Sequence, residues 1–261
     1  MAPLLRGSIA LALAALAAAA PAQGRKRGSD NVPADDKLTA KDPAIVAIDK
    51  FIKKKVGKKA KTWRTTMPRP PELEFTADRD YFWHLETDCG MLTVQLFPQE
   101  APRHVASTIY LARAGFYDGL LFPRVMTGFM AQGGSPNNDQ TGNAGYTLDH
   151  EFAKNRLHDG PGVLSAANSG EPNSDGSQFF LTFVKADHLD GHHTVYGKVV
   201  DSPAAQATLE KMEARGNDGS VVPVPNPPKI VRTWITVAAK PAGDDPKAAG
   251  KPDKDGKVHR G

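Results

Sequence analysis

Apolar residues recur every three or four positions between Ile45 and Val56, with Ile45, Ile48 and Ile52 between them on one face. This periodicity predicts a short amphipathic helix over 43–56. Asp42-Pro43 supplies an N-cap followed by proline in the first turn, and Gly57 supplies a C-cap. Further along, the period shortens. Tyr81–Glu86 and Met91–Phe97 read as strands joined at Asp88-Cys89-Gly90. Short apolar runs bounded by Gly, Asn and Asp follow at Phe122–Val125, Gly162–Ala166, Phe179–Val184, Thr194–Val199 and Ile230–Ala238. Two helices interrupt them: Pro102–Ala114, with Val105, Ile109 and Ala112 on one face, and Pro203–Arg215, with Leu209 and Met212 inward. Many short strands, few helices and long turn-rich loops, including the proline-rich 217–228, predict a mostly β barrel or sandwich. No internal repeat is visible.

The two ends read differently. Met1–Arg6 carries one positive charge, Ser8–Ala19 is an uncharged Ala/Leu-rich run, and Ala20-Pro21-Ala22 fits a cleavage site. The expectation is a secretory signal peptide over 1–22, with an uncleaved anchor as the alternative. Residues 23–71 read as a basic linker or arm carrying the short helix: Gly24–Lys41 as a disordered linker, and three prolines in Met67–Pro71 as a stiff end. The domain runs over 72–239, and 240–261 reads as a disordered tail.

The chain has 261 residues, 40% hydrophobic and 24% charged, which excludes disorder throughout. Its single cysteine, Cys89, excludes an internal disulfide framework and paired-cysteine zinc sites. In an oxidising destination Cys89 is a free thiol or an intermolecular link. The net charge of +4 hides a basic arm and tail flanking an acidic core. Lys53–Lys61 holds six lysines in nine residues. Contact with an anionic surface is its functional reading, and a solvated face is the plainer one. An exported chain has little call for nucleic acid. The expected location is the periplasm, with secretion as the alternative, and a monomer is expected.

Most reaction classes find no support. Gly160-Pro161-Gly162 lacks the lysine of a phosphate loop, and neither Ser165 nor Ser177 sits in a nucleophile elbow. His188, His192 and His193 form no metal-ligand pattern, and no metal or other cofactor is expected.

One ordered set of motifs is specific: F122-P-R-V-M-T-G-F-M-A-Q-G-G134, A166-A-N168, G176-S-Q-F-F180, and L189-D-G-H-H193 leading into V195-Y-G-K-V199. Over about Tyr81 to Val237 the chain resembles the cyclophilin family of peptidyl-prolyl cis–trans isomerases, as a bacterial, exported member. The resemblance implies an eight-stranded antiparallel β-barrel capped by two α-helices, with the site on its outer face and proline-containing polypeptides as substrates. It implies that Arg124 is the catalytic arginine and that Gln132 orients it and touches the substrate backbone. Phe129, Met130, Phe180 and Leu189 would line the proline pocket, with His193 at its edge. Ala167, Asn168 and Gln178 would line the peptide groove, Asn168 through its main chain. His188 stands where many eukaryotic members carry tryptophan, which puts cyclosporin-type binding in doubt. The loop Gly170–Asp175 is one residue longer than in familiar members, and Pro123 stands where histidine is common. The alternative function is a cyclophilin-like binding or chaperone module in which catalysis is dispensable.

Overall fold

The structure, a computed structural model, describes residues 35–56 and 60–241. The expected signal peptide, the linker up to residue 34, the Gly57 cap and the tail from 242 lie outside the described residues. Eight strands form one antiparallel sheet: β1 (Arg79–Thr87), β2 (Gly90–Leu96), β3 (Arg124–Met126), β4 (Met130–Gly133), β5 (Val163–Ala166), β6 (Phe179–Thr182), β7 (Val195–Val199) and β8 (Ile230–Ala239). Their order is β3-β4-β6-β5-β7-β2-β1-β8. The segments leading into the two edge strands meet. Leu121 pairs with Lys229, and the amides of Gly119 and Phe122 donate to the carbonyls of Ile230 and Pro228. The sheet thereby curls toward closure, which shields part of its two edges. Trp83, Tyr117, Phe122 and Phe179 fill its interior, with Trp83 and Phe179 ring centroids 4.9 Å apart.

Four α-helices accompany the sheet: α1 (Asp36–Lys41), α2 (Pro43–Lys55), α3 (Pro102–Arg113) and α4 (Pro203–Glu213). The last three open on proline in the first turn, where its missing N–H costs nothing. Ser202 caps α4 by accepting the Ala205 amide at 3.1 Å.

The N-terminal region departs from the sequence reading in two ways. First, the linker expected over 24–41 contains α1. This helix of six residues is held by Asp35, whose carboxylate accepts the Lys37 and Leu38 amides, and by the edge strand β8. The Val237 amide donates to Thr39 Oγ1 at 2.8 Å, so α1 covers part of that edge. Second, residues 43–56 and 60–75 are packed on the domain instead of projecting from it. Ile45 and Ile48 are fully buried in the common core, and each contributes about 1.5–3 kcal/mol. Asp42 caps α2 through the Ala44 and Ile45 amides and also accepts the Tyr81 hydroxyl at 3.0 Å. Arg64 donates to the carbonyls of Phe116 and Asp118, and the Met67 amide donates to Ala144. Because α2 lies on one side of α3 and strands β1 and β8 on the other, α3 is buried continuously from His104 to Ala112. Among the described residues, no helix is long and apolar enough to cross a membrane.

Candidate active site

The site is built by sheet register. In the β3–β4 hairpin Arg124 stands opposite Gln132, and Met126 opposite Met130. In the next ladder Gln132 stands opposite Phe180, and in the next Phe180 stands opposite Ser165. Residues paired across antiparallel strands share a face, so Arg124, Gln132 and Phe180 lie in one row. The alternate row, Val125, Ala131, Leu181 and Leu164, is fully buried. Alternation along β6 likewise sends Phe179 into the core and Phe180 to the opposite face.

The tight turn of this hairpin needs Gly128, whose φ is +70°. Its amide donates to Glu213 Oε1 at 2.7 Å, so α4 holds the turn that carries Phe129. The hairpin is followed by Gly134 at φ +83°, where a Cβ would lie 2.3 Å from the Ser177 carbonyl oxygen. That close approach brings Gln178 beside Gln132.

A directed chain of hydrogen bonds crosses the face. Gln178 Nε2 donates to the carbonyls of Gln140 and Gly142, both at 2.9 Å. Gln178 Oε1 therefore faces Gln132 and accepts its Nε2 at 3.0 Å. Gln132 Oε1 is left to accept Arg124 Nη1 at 3.2 Å. Arg124 Nη2 lies 3.1 Å from Met126 Sδ, a weak acceptor. Among the described residues no carboxylate bonds the guanidinium, so within them the positive charge is oriented without being neutralised by a partner.

An apolar surface adjoins it. Met130 and Phe180 expose only 2% and 4% of their surface, as a floor does, whereas Phe129 is half-buried. His193 meets the Phe180 ring edge-on at 5.4 Å, with Nδ1 on the Ala166 carbonyl at 2.9 Å. His188 leans over Phe129 with ring centroids 5.5 Å apart. Leu189 is half-buried in the 3-10 turn Asp187–Leu189, and its carbonyl accepts the His192 and His193 amides. The Ala167 amide donates to Gln178 O at 3.1 Å. Asn168 commits its side chain to the His192 carbonyl and the Gly170 amide.

The structure thus joins Arg124, Gln132 and Gln178 directly, Phe129 to His188, and Phe180 to His193. The carbonyls of Gln140 and Gly142, Glu213, and the His158 ring behind Phe180 are not marked by any sequence motif; only the folded chain brings them here. Two clefts lie elsewhere: about 630 Å³ between α4 and Val199, and about 400 Å³ between Arg69–Leu73 and the start of α3. Neither is lined by Arg124, Gln132 or Phe180. The site is an outer face of the sheet on which Arg124, Phe129 and Gln132 are half-buried. No group of three or more His, Cys, Asp or Glu able to hold a metal occurs among the described residues.

Comparison with known proteins agrees with this architecture. Residues 82–234 match the family model described as cyclophilin type peptidyl-prolyl cis-trans isomerase/CLD. The chain belongs to this family of peptidyl-prolyl cis–trans isomerases, EC 5.2.1.8. It is 42% identical over 129 residues to the peptidyl-prolyl cis-trans isomerase of Helicobacter pylori strain 26695, covering 49% of this chain and 78% of the relative. It is 44% identical over 120 residues to that of Synechococcus elongatus, covering 45% and 79%. With peptidyl-prolyl cis-trans isomerase-like 2 of Gibberella zeae it shares 41% identity over 161 residues, 60% of this chain but only 26% of that longer protein. Among solved structures, the cyclophilin type peptidyl-prolyl cis-trans isomerase of Cryptosporidium parvum superposes with a TM-score of 0.55 at 29% identity, covering 62% of this chain and 99% of that one. The same protein, solved in the presence of the dipeptide Ala-Pro, gives a TM-score of 0.54 at 29% identity, covering 61% and 99%.

Proposed function

We propose that this protein accelerates rotation about X–Pro bonds in exported polypeptides, with Arg124 as the catalytic residue. The carrying observation is the directed Gln178–Gln132–Arg124 chain beside the Phe129, Met130 and Phe180 surface.

The chemistry follows from the amide. Rotation about an X–Pro bond costs about 18–20 kcal/mol because resonance is lost, and it takes tens to hundreds of seconds unaided. In the twisted state the prolyl nitrogen becomes pyramidal and regains a lone pair. A guanidinium fixed beside the pyrrolidine ring donates to that lone pair in the twisted state and finds none in the planar one. This is selective stabilisation of the transition state. Arginine suits the task because it stays charged and its donors are rigidly disposed. Phe129, Met130, Phe180 and Leu189 grip the proline ring while the acyl side turns, and His193 closes the edge. The main chain of Asn168, with Ala167 and Gln178, holds the neighbouring peptide. No nucleophile or proton shuttle takes part. Support for the ring-binding role comes from the Cryptosporidium parvum relative, whose structure was solved with Ala-Pro present.

The export reading rests on the Met1–Ala22 pattern, and periplasmic residence is the form it takes. Cell fractionation with N-terminal sequencing tests it: the mature chain begins at Gln23, and a cytoplasmic chain beginning at Met1 overturns it. Lys53, Lys54 and Lys55, exposed at the end of α2, give weak contact with anionic surfaces, and liposome binding that depends on salt checks this. Isomerisation itself is tested by NMR exchange on an Ala-Pro peptide, where added protein collapses separate cis and trans signals. Unchanged exchange with folded protein sinks the enzymatic reading in favour of a binding module.

A further inference from the structure

We propose that His158, which no site motif contains, is the positioning residue that locks the floor of the proline site to the turn carrying Leu189 and His193. The inference rests on the functional reading above and names a part of its machinery.

His158 sits in the loop before β5 and exposes no surface. Its ring is stacked on Phe180, with centroids 5.8 Å apart and planes inclined by 14°. His193 meets the same Phe180 ring edge-on, so two imidazoles bracket the floor. The edge of the His158 ring is tied at both ends. Nδ1 and its own backbone amide both reach Asp190 Oδ1 at 2.8 Å. Nε2 lies 3.0 Å from Ser165 Oγ, and Ser165 is the residue opposite Phe180 in the β5–β6 ladder. The His158 carbonyl accepts the Ala186 amide at 2.8 Å, at the start of the Asp187–Leu189 turn. One side chain therefore touches the floor, the strand beside it and the turn that carries the rim.

Serine, histidine and aspartate in this order have the bonding pattern of a hydrolase triad. Ser165 exposes no surface, and its hydroxyl also lies 3.0 Å from the Thr194 carbonyl, so no substrate reaches it. The arrangement holds; it does not attack. Burial pushes the His158 pKa down, against the opposing pull of Asp190. The ring is then neutral near pH 7. Its proton sits on Nδ1, facing the carboxylate, and the single Ser165 hydroxyl proton has two acceptors at 3.0 Å, His158 Nε2 and the Thr194 carbonyl.

A lock of this kind acts on ring binding more than on the twisted-amide step. The test compares Asp190→Ala, Asp190→Asn and His158→Phe with the wild type. Four readouts are taken: melting temperature, the dissociation constant for an Ala-Pro peptide, the KM-against-kcat split, and the NMR signals of a ring-labelled Phe180. Asp190→Ala removes the acceptor and should weaken peptide binding and raise KM about tenfold, the scale of one lost charge-assisted bond, with kcat changed little. It should also alter the Phe180 ring signals. Asp190→Asn keeps an oxygen acceptor and should restore both. His158→Phe keeps the stack and the backbone bonds but loses both side-chain ties, and should move the same readouts in the same direction as Asp190→Ala. Nitrogen NMR of the wild type should show His158 protonated at Nδ1. Wild-type binding and unchanged Phe180 signals in both Asp190→Ala and His158→Phe would overturn the proposal. So would equal losses in Asp190→Ala and Asp190→Asn, or a ring protonated at Nε2. A wild type without turnover would remove the isomerase reading while leaving the peptide-binding and Phe180 readouts to decide this one.

Discussion

Gln132 donates its amide nitrogen to Gln178 Oε1 at 3.0 Å, and that one bond decides which end of Gln132 faces Arg124. The direction originates in two backbone carbonyls, those of Gln140 and Gly142, which demand donors from Gln178. The Arg124 side chain is thus aimed by a loop three hydrogen bonds away.

Removing the link nearest the charge should cost the most. Gln132→Leu deletes the acceptor of a charge-assisted hydrogen bond, worth about 1.5–3 kcal/mol. We expect kcat/KM for an X–Pro peptide to fall about tenfold to hundredfold. Gln178→Leu leaves Gln132 in place but free to turn over, and should lower kcat/KM in the same direction by less. A larger loss in Gln178→Leu than in Gln132→Leu would contradict the proposed order of the chain.

The N-terminal helices should matter for stability. Ile48→Ala opens a cavity in the common core and should cost about 2–5 kcal/mol in urea unfolding. Replacing exposed Lys53 or Lys54 by Gln should change stability by less than about 0.5 kcal/mol. If Ile48→Ala is as mild as the lysine changes, α2 is an appendage and not part of the core.

A buried ionic cluster sets a pH dependence of stability. His104 points Nδ1 at Glu151 Oε2, 2.6 Å away, and Nε2 at Asp175 Oδ2, 2.8 Å away, so both nitrogens must donate and the ring is an imidazolium. Burial opposes its charge, but the bonds and charges of Asp175 and Glu151 prevail and its pKa lies above the ordinary value. Burial likewise opposes ionisation of Asp175 and Glu151, yet His104 leads the groups that hold both pKa values below the ordinary range. The raised histidine contributes stability that is complete below its unfolded pKa of about 6.5 and is lost as pH rises through its folded value. The depressed carboxylates contribute stability present above their unfolded pKa of about 4 and lost as pH falls through their folded values. The cluster's contribution should therefore peak between about pH 4 and 6.5 and decline on both sides. Denaturant unfolding from pH 3 to 9 checks this. His104→Asn should abolish the alkaline decline, and a persisting decline would assign it to other groups.

Much of the fold is legible in the sequence because it is written locally. Alternating runs mark β1, β2 and β8, and proline starts mark α2, α3 and α4. β4 escaped because Met130–Gly133 is short and ends in glycine, so no periodicity announces it. The candidate site residues Arg124, Phe129, Gln132 and Phe180 are legible as motif members, but the row formed by Arg124, Gln132 and Phe180 depends on register between strands far apart in the chain. His158 and the carbonyls of Gln140 and Gly142 carry no local signal at all. The spacing of Ile45 and Ile48 marks an apolar face on α2, but the lysine run after Ile52 suits solvent, and nothing local says that this face packs on the domain. The better clue lay in α3: from Val105 to Ala112 it has no charged residue, hence no face suited to water, and a covering element was required.

The most direct test of the account is Arg124→Ala against wild type on one X–Pro peptide, with exchange rate and binding affinity measured on the same samples. Loss of one preorganised donor to a developing lone pair should slow turnover about a hundredfold to a thousandfold. Peptide binding should stay within a few-fold, because Phe129, Met130 and Phe180 remain. A variant that binds and turns over like the wild type would contradict the assignment of catalysis to Arg124.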